Sequence, residues 1–284
     1  MASIRQWYPE IPIFLLKDDV SGPFCTREIE DVWNVQLWPT AERSFGWGFI
    51  KLEPLFGAER IRYLILDSDI VFLGRVIDAL EKFDTDFVVQ QELQPERDVA
   101  PLYFDSARIR ASINPVFPGP SFTFNSGQYV ATAGLVSRED FGDLVVWSEP
   151  RRVRYPDMFN AGDQGVLNYV VNQRAAAGAI TVARTPFMKW SREEMSEFAV
   201  AMLGEASPYP FVIHWAGLKK ARLGQMLRAD ILRHFEGAYY AKVSNGFTRR
   251  RSRILRTEIE RWYSRGGRVA GKIVRRLRSI PGSV

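Results

Sequence analysis

The sequence predicts an α/β domain with a mostly parallel central sheet flanked by helices, and a basic helical tail behind it. Three observations carry that prediction. Short apolar runs of strand length alternate with helix-length stretches at the spacing of parallel α/β units. In the run 61–66, Ile61, Tyr63, Leu64, Ile65 and Leu66 read as a strand covered on both faces. Between Arg249 and Arg278, twelve Arg and Lys stand against Glu258 and Glu260, a net of +10 in a chain whose formal charge is +5. The remainder therefore carries −5: a mildly acidic body with a strongly basic end.

Composition bounds the rest. Apolar content of 46% and charge of 25% are those of a globular chain. Its 284 residues can bury a substantial core in one large domain, or in one domain with an appendage. One cysteine, Cys25, excludes an internal disulfide and a zinc site built on thiolates, and it favours a reducing compartment. The N-terminus MASIRQWYPEIP has no apolar signal core, and no run reaches 18 apolar residues. Neither export nor a membrane span is expected.

The elements follow in order. IPIFLLKDD (11–19) reads as a strand entering a turn. Residues 26–35 suit a short helix capped by Thr26, with Ile29 and Val32 on one face. Residues 47–56 read as helix up to Gly57. The strand 61–66 comes next, then a helix over 75–83 and a strand over 85–89. From 90 to 120, five prolines loosen the pattern. FTFNSGQYVATA (122–133) begins extended, turns at Asn125–Gly127 and continues apolar. Residues 140–148 read as helix, and so does AGDQGVLNYVVNQ (161–173). GAITVA (178–183) and PYPFVIHWAG (208–217) read as strands. There is no internal repeat.

The chemistry concentrates where apolar runs end on polar groups. Asp67 and Asp69 flank Ser68 inside an otherwise interior segment, where an unpaired carboxylate costs several kcal/mol. Two readings fit: an Asx turn capping local amides, or a hard-cation site in which Mg²⁺ or Mn²⁺ grips a diphosphate. His214 closes the run PFVI. It reads as a core-edge imidazole or as a metal ligand. Beyond it, Gly217 allows close backbone approach, and Lys219 or Lys220 could meet phosphate. NSG (125–127) and GDQG (162–165) could be a turn and a helix entry, or amide and carboxylate groups for a polyhydroxylated substrate. No GxxxxGK[ST], GxGxxG or GxSxG stretch is present, so among nucleotide-binding devices a metal-based grip survives.

The ordered set LILDSDIVFLG, FNSGQYVA, AGDQGVLNYV and FVIHWAGLKKAR resembles the GT-A glycosyltransferases of family 8, the glycogenin and lipopolysaccharide galactosyl- and glucosyltransferase group. It spans roughly residues 3 to 222. The resemblance implies a GT-A fold over 1–245 and a basic amphipathic tail over 246–284. It implies that Asp67, Asp69 and His214 hold Mn²⁺, or Mg²⁺ in its place, on the diphosphate of a nucleotide-sugar, usually a UDP-sugar. Ser68 lies within that motif, and Gly217 and Lys220 fall around the diphosphate. Asn125, Asp163 and Gln164 match residues near the transferred sugar, and Lys51 matches a basic donor contact. The implied reaction is hexosyl transfer with retention to a glycan or lipid-linked glycan, with a front-face course that needs no protein nucleophile.

Three departures stand beside it. Relatives open with a strand, a uridine-holding loop and then a helix continuing much like SIRQWYPEIPIFLL, whereas this chain starts inside that helix. Loss of that central strand is expected to leave strand faces and ladder groups uncovered. VVQQEL (88–93) lacks the acidic residue relatives often place there, and Ala221 and Arg222 stand where Pro-Trp commonly follows. A non-catalytic transferase-like module that binds sugar or membrane is the competing reading.

In the tail, Leu255, Ile259 and Trp262 fall at i, i+4, i+7, and Val269, Ile273, Leu277 and Ile280 at i, i+4, i+8, i+11, with arginines on the other faces. An apolar stripe bordered by arginine suits an anionic membrane surface or a docked helix, and no nucleic-acid recognition module is present. The expected location is cytoplasmic, peripheral on the inner face of the membrane.

Overall fold

The computed structural model describes residues 1–46, 48–160, 162–192, 198–204, 207–217, 223, 226–256 and 258–259. It separates into two compact units, one running to Gly217 and the other from residue 218 onward. In the first unit, helix α1 (Ala2–Trp7) leads to strand β1 (Phe14–Leu15), helix α2 (Arg27–Trp33) and strand β2 (Gln36–Leu37). A 3₁₀ helix (Phe49–Phe56), β3 (Arg62–Leu66), β4 (Ile70–Phe72), α3 (Val76–Leu80) and β5 (Phe87–Gln90) follow. Then come α4 (Glu96–Leu102), α5 (Ser106–Ser112), β6 (Gln128–Thr132), a 3₁₀ turn (Glu139–Phe141), β7 (Val145–Val146) and β8 (Arg152–Val153). The unit closes with α6 (Asp163–Ala176), β9 (Val182–Thr185), β10 (Met188–Trp190), a 3₁₀ turn (Val200–Met202) and β11 (Val212–His214). The second unit contains α7 (Ala229–Lys242) and a helical stretch over 246–256.

The sheets are mixed, which corrects the expectation of a mostly parallel one. The larger sheet has the order β3-β6-β5-β9; β6 runs antiparallel to both neighbours, and only β5 and β9 are parallel. The second has the order β10-β11-β4, parallel then antiparallel. The reversal of β6 has a local cause. The chain leaves β5 through α4 and α5 and re-enters the sheet at the same end it left, after the Asn125–Gly127 turn, so β6 runs back against β5. Strand β3 forms the edge of the larger sheet, and only Ile65 on it is fully buried.

Alternation along the strands places Ile65, Phe87, Val89, Tyr129 and Ala131 in one core. Helix α6 meets that core through Val166, Leu167, Val170 and Val171, and the 3₁₀ helix through Phe49, Leu52 and Leu55. Each such large side chain contributes about 1.5–3 kcal/mol on burial. Two polar residues on α6 clip the segment 121–124, which leads into β6, to the helix. Asn168 accepts from Phe124 N and donates to Phe124 O, both at 2.9 Å, while Asn172 accepts from Ser121 N at 2.8 Å and donates to Phe122 O at 2.9 Å.

Other expectations shift for identifiable reasons. Residues 49–56 wind as 3₁₀ because Pro54 has no amide hydrogen for an α-helical bond. The helix expected over 140–148 is a single turn ended at Gly142, with φ +51°, after which Val145–Val146 pairs with Arg152–Val153. The proline-rich 91–120 segment holds two short helices; Asp105 caps the second by accepting from Ala107 N and Arg108 N. Thr26 begins α2 as expected, but its hydroxyl donates to Glu30 Oε1 at 2.6 Å rather than capping an amide.

Candidate metal centre

Two antiparallel registers assemble the site. In the first, Leu66 pairs with Gln128, so the end of β3 meets the start of β6, and Asp67 N donates to Gly127 O at 2.6 Å. In the second, Ile70 pairs with His214, so the start of β4 meets the end of β11, and Trp215 N donates to Asp69 O at 3.1 Å. A parallel pairing of β3 with β6 would have left NSG at the opposite end of the sheet from the aspartates.

Asp67, Asp69 and His214 consequently converge: one ligand atom from each lies within 4.8 Å of the others. His214 Nε2 is 3.1 Å from Asp69 Oδ1 and 3.7 Å from Asp67 Oδ2. Neither ring nitrogen of this buried imidazole has a hydrogen-bond partner. Two carboxylates and an unbonded imidazole suit a divalent cation. An octahedral ion with ligands at about 2.1 Å sets neighbouring donors about 3 Å apart, close to what is seen here. Gly127 keeps the space open. A Cβ there would come within 2.5 Å of His214 Cε1, 2.6 Å of Asn125 Oδ1 and 2.7 Å of Asp67 Oδ2. The residues fit a cation.

The other expected residues gather around this centre. Asn125 Oδ1 accepts from Gly127 N at 2.7 Å, closing the turn. Gln164 Oε1 accepts from Ser126 N at 3.2 Å, and its amide donates to Leu102 O at 3.0 Å. Lys51 Nζ lies 3.1 Å from both Asp67 Oδ1 and Asp163 Oδ2, and donates to Ser126 O at 3.2 Å. Burial would lower the Lys51 ammonium, but the Asp163 and Asp67 carboxylates outweigh it and hold the group above its ordinary range. Burial raises Asp163, against the pull of Lys51, and nearby Asp67 adds to the rise. Ser68 is exposed in the turn between β3 and β4. Gly217 has φ +77° with open space around it, a backbone that favours glycine. Lys219 and Lys220 lie outside the described residues.

Several contributors were invisible in sequence. Trp190 stacks on His214, with centroids 5.3 Å apart and planes 20° apart, because β10 and β11 pair them. Gly48, at φ +76°, lets Asp163 Oδ1 approach; a Cβ would overlap that oxygen. Gln128 is fully buried with neither amide atom bonded. A Gly between two aromatic residues (47–49) was the signal available for Gly48; nothing local marked Trp190.

Fold and site together define an α/β protein with an Asp/Asp/His cluster able to hold a metal ion at the meeting of two sheets. No protein-family model matches the chain, and no curated protein matches it.

Proposed function

We propose that this chain is a metal-dependent retaining glycosyltransferase of the GT-A family 8 type. It moves a hexose from a nucleotide-diphospho-sugar, a UDP-sugar first among them, to a glycan or a lipid-linked glycan. The observation that carries the reading is the convergence of Asp67, Asp69 and His214 although about 145 residues separate the first from the last. Bound there, Mn²⁺ or Mg²⁺ supplies Lewis-acid neutralisation of the leaving diphosphate. The protein's part is orientation. Asn125, Asp163 and Gln164 lie beside the centre through Gly127, Lys51 and Ser126, and their amide and carboxylate groups suit sugar hydroxyls. Asp163 is held by an ion pair to Lys51 and acts as an orienting group, not a base.

The basic tail adds a peripheral attachment to an anionic membrane surface. No helix among the described residues is long and apolar enough to cross a membrane.

The test is calorimetric titration of UDP with and without Mn²⁺, together with metal-dependent UDP release from UDP-hexoses. Asp69→Ala is expected to abolish metal-dependent binding and release while the thermal unfolding midpoint stays close to that of the parent. Nucleotide binding that is independent of metal and unchanged in Asp69→Ala removes this function. Binding without any release, across UDP-glucose and UDP-galactose with saccharide acceptors, favours the non-catalytic module.

A further inference from the structure

Lys51 lies between the cation site and Asp163. Its side chain comes from the 3₁₀ helix, and its own carbonyl accepts from Tyr129 OH at 3.0 Å, so its backbone is fixed on the floor of the core. An ammonium has three donors. Here four oxygens compete for them: it donates to Ser126 O at 3.2 Å and Ser126 Oγ at 3.4 Å, and forms ion pairs with Asp67 Oδ1 and Asp163 Oδ2, both at 3.1 Å. The group is therefore enclosed by oxygens of the protein itself, with 8% of the residue exposed. A diphosphate could gain it only by breaking one of these contacts.

The two oxygens of Asp67 are in consequence divided. Oδ1 belongs to Lys51, while Oδ2 faces His214 Nε2. Among the described residues, the carboxylates of Asp67, Asp69 and Asp163 set against the Lys51 ammonium leave a balance of −2, which matches a divalent cation.

From this geometry we propose that Lys51 is a positioning residue, not a phosphate contact: it restrains Asp67 to one-oxygen ligation and couples cation binding to the Asp163 carboxylate. The proposal rests on the cation reading of the Asp67, Asp69, His214 cluster. Its physical basis is competition for one ammonium. With Asp163 in place, the positive charge of Lys51 is shared between two carboxylates. Without it, the charge falls wholly on Asp67 and opposes the cation.

The experiment is a four-protein cycle, with Mn²⁺ alone as the probe and free Mn²⁺ followed by electron paramagnetic resonance. The proteins are the wild type, Asp163→Asn, Lys51→Met and the double variant. Asp163→Asn should weaken Mn²⁺ binding about tenfold in the wild-type background, within the range for residues sharing an ion-pair network, and by less than about twofold when residue 51 is Met. A merely structural role for Lys51 would not make the effect of one substitution depend on the other. Equal effects in both backgrounds overturn the proposal and leave the metal reading standing. A wild type that binds no Mn²⁺ overturns both.

Should Lys51→Met fail to fold, the wild type still decides. The side-chain ammonium resonance of Lys51, identified by its loss in Lys51→Arg, is compared with Mg²⁺ alone and with Mg²⁺ plus inorganic diphosphate. A positioning residue keeps its contacts, so the signal stays in place. A shift or exchange broadening on adding diphosphate means that Lys51 leaves the carboxylates for phosphate, and the proposal fails.

Discussion

Gly127 decides whether the centre exists. Its φ lies outside the left-handed region, so alanine meets no backbone penalty there, and the whole cost of Gly127→Ala falls on space. The added methyl would sit among His214 Cε1, Asn125 Oδ1 and Asp67 Oδ2, all within 2.7 Å, and these must part to admit it. Parting them separates the imidazole from the Asp67 carboxylate. Gly127→Ala should therefore weaken Mn²⁺ binding by at least about tenfold, a change of about 1.4 kcal/mol. Titration of the metal alone reads this directly, and parent-like affinity would show that the three groups can relax without losing the site. Much at this scale was legible in the sequence. Asp67, Asp69 and His214 each end an apolar run, and polar groups at such ends need partners, which here they find in one another. Lys51 was harder to read: its sequence neighbours are apolar, and only the structure shows its ammonium enclosed by two carboxylates and a carbonyl.

The polar clips on α6 do at the level of elements what Gly127 does at the level of atoms. Asn168 is fully buried, and its amide satisfies both backbone groups of Phe124, the residue just before the NSG turn. Removing it leaves a buried N–H and a buried C=O unpaired, at about 1–3 kcal/mol each. Asn168→Ala is thus expected to lower unfolding stability by about 2–6 kcal/mol and to loosen the turn that borders the metal centre. Urea denaturation measures the first effect, and Mn²⁺ affinity the second. A stability loss below about 1 kcal/mol would mean that water replaces the amide. The asparagines could not be told from surface residues in VLNYVVNQ, since an amide at i and i+4 marks a wetted stripe as readily as a buried clip. Strand direction was hidden for a related reason. Spacing reveals that strands and helices alternate, whereas the reversal of β6 depends on which end of the sheet the 91–127 segment returns to. The short strands β2 and β10 carry too few residues for a period to emerge.

The charge asymmetry belongs to the whole molecule. In the second unit, residues 246–256 are helical, and Phe247, Ile254, Leu255 and Ile259 are exposed by 70, 51, 62 and 46%. They alternate with Arg249, Arg250, Arg251, Arg253 and Arg256. Trp262 and the stripe from Val269 to Ile280 lie outside the described residues. Apolar side chains exposed among arginines suit the boundary between headgroups and acyl chains, where the chains bury and the guanidinium groups meet lipid phosphate. Each near-surface basic residue contributes about 1 kcal/mol before screening. Binding should therefore be strong at low ionic strength and weaken as the Debye length shortens. Salt alone does not separate this from nucleic-acid binding, which weakens in the same way. The separating measurement is sedimentation with vesicles of anionic or neutral lipid, using the full chain, a chain ending at Asn245, and a full chain carrying Leu255→Ser and Ile259→Ser. Anionic vesicles should pellet the full chain and not the shortened one. The serine pair, which leaves the charge unchanged, should weaken vesicle affinity by about a hundredfold or more if both side chains insert fully, because about 1.5–3 kcal/mol of burial is lost for each. Equal pelleting of the full and shortened chains would remove the membrane role and leave the metal centre, which rests on other residues, untouched.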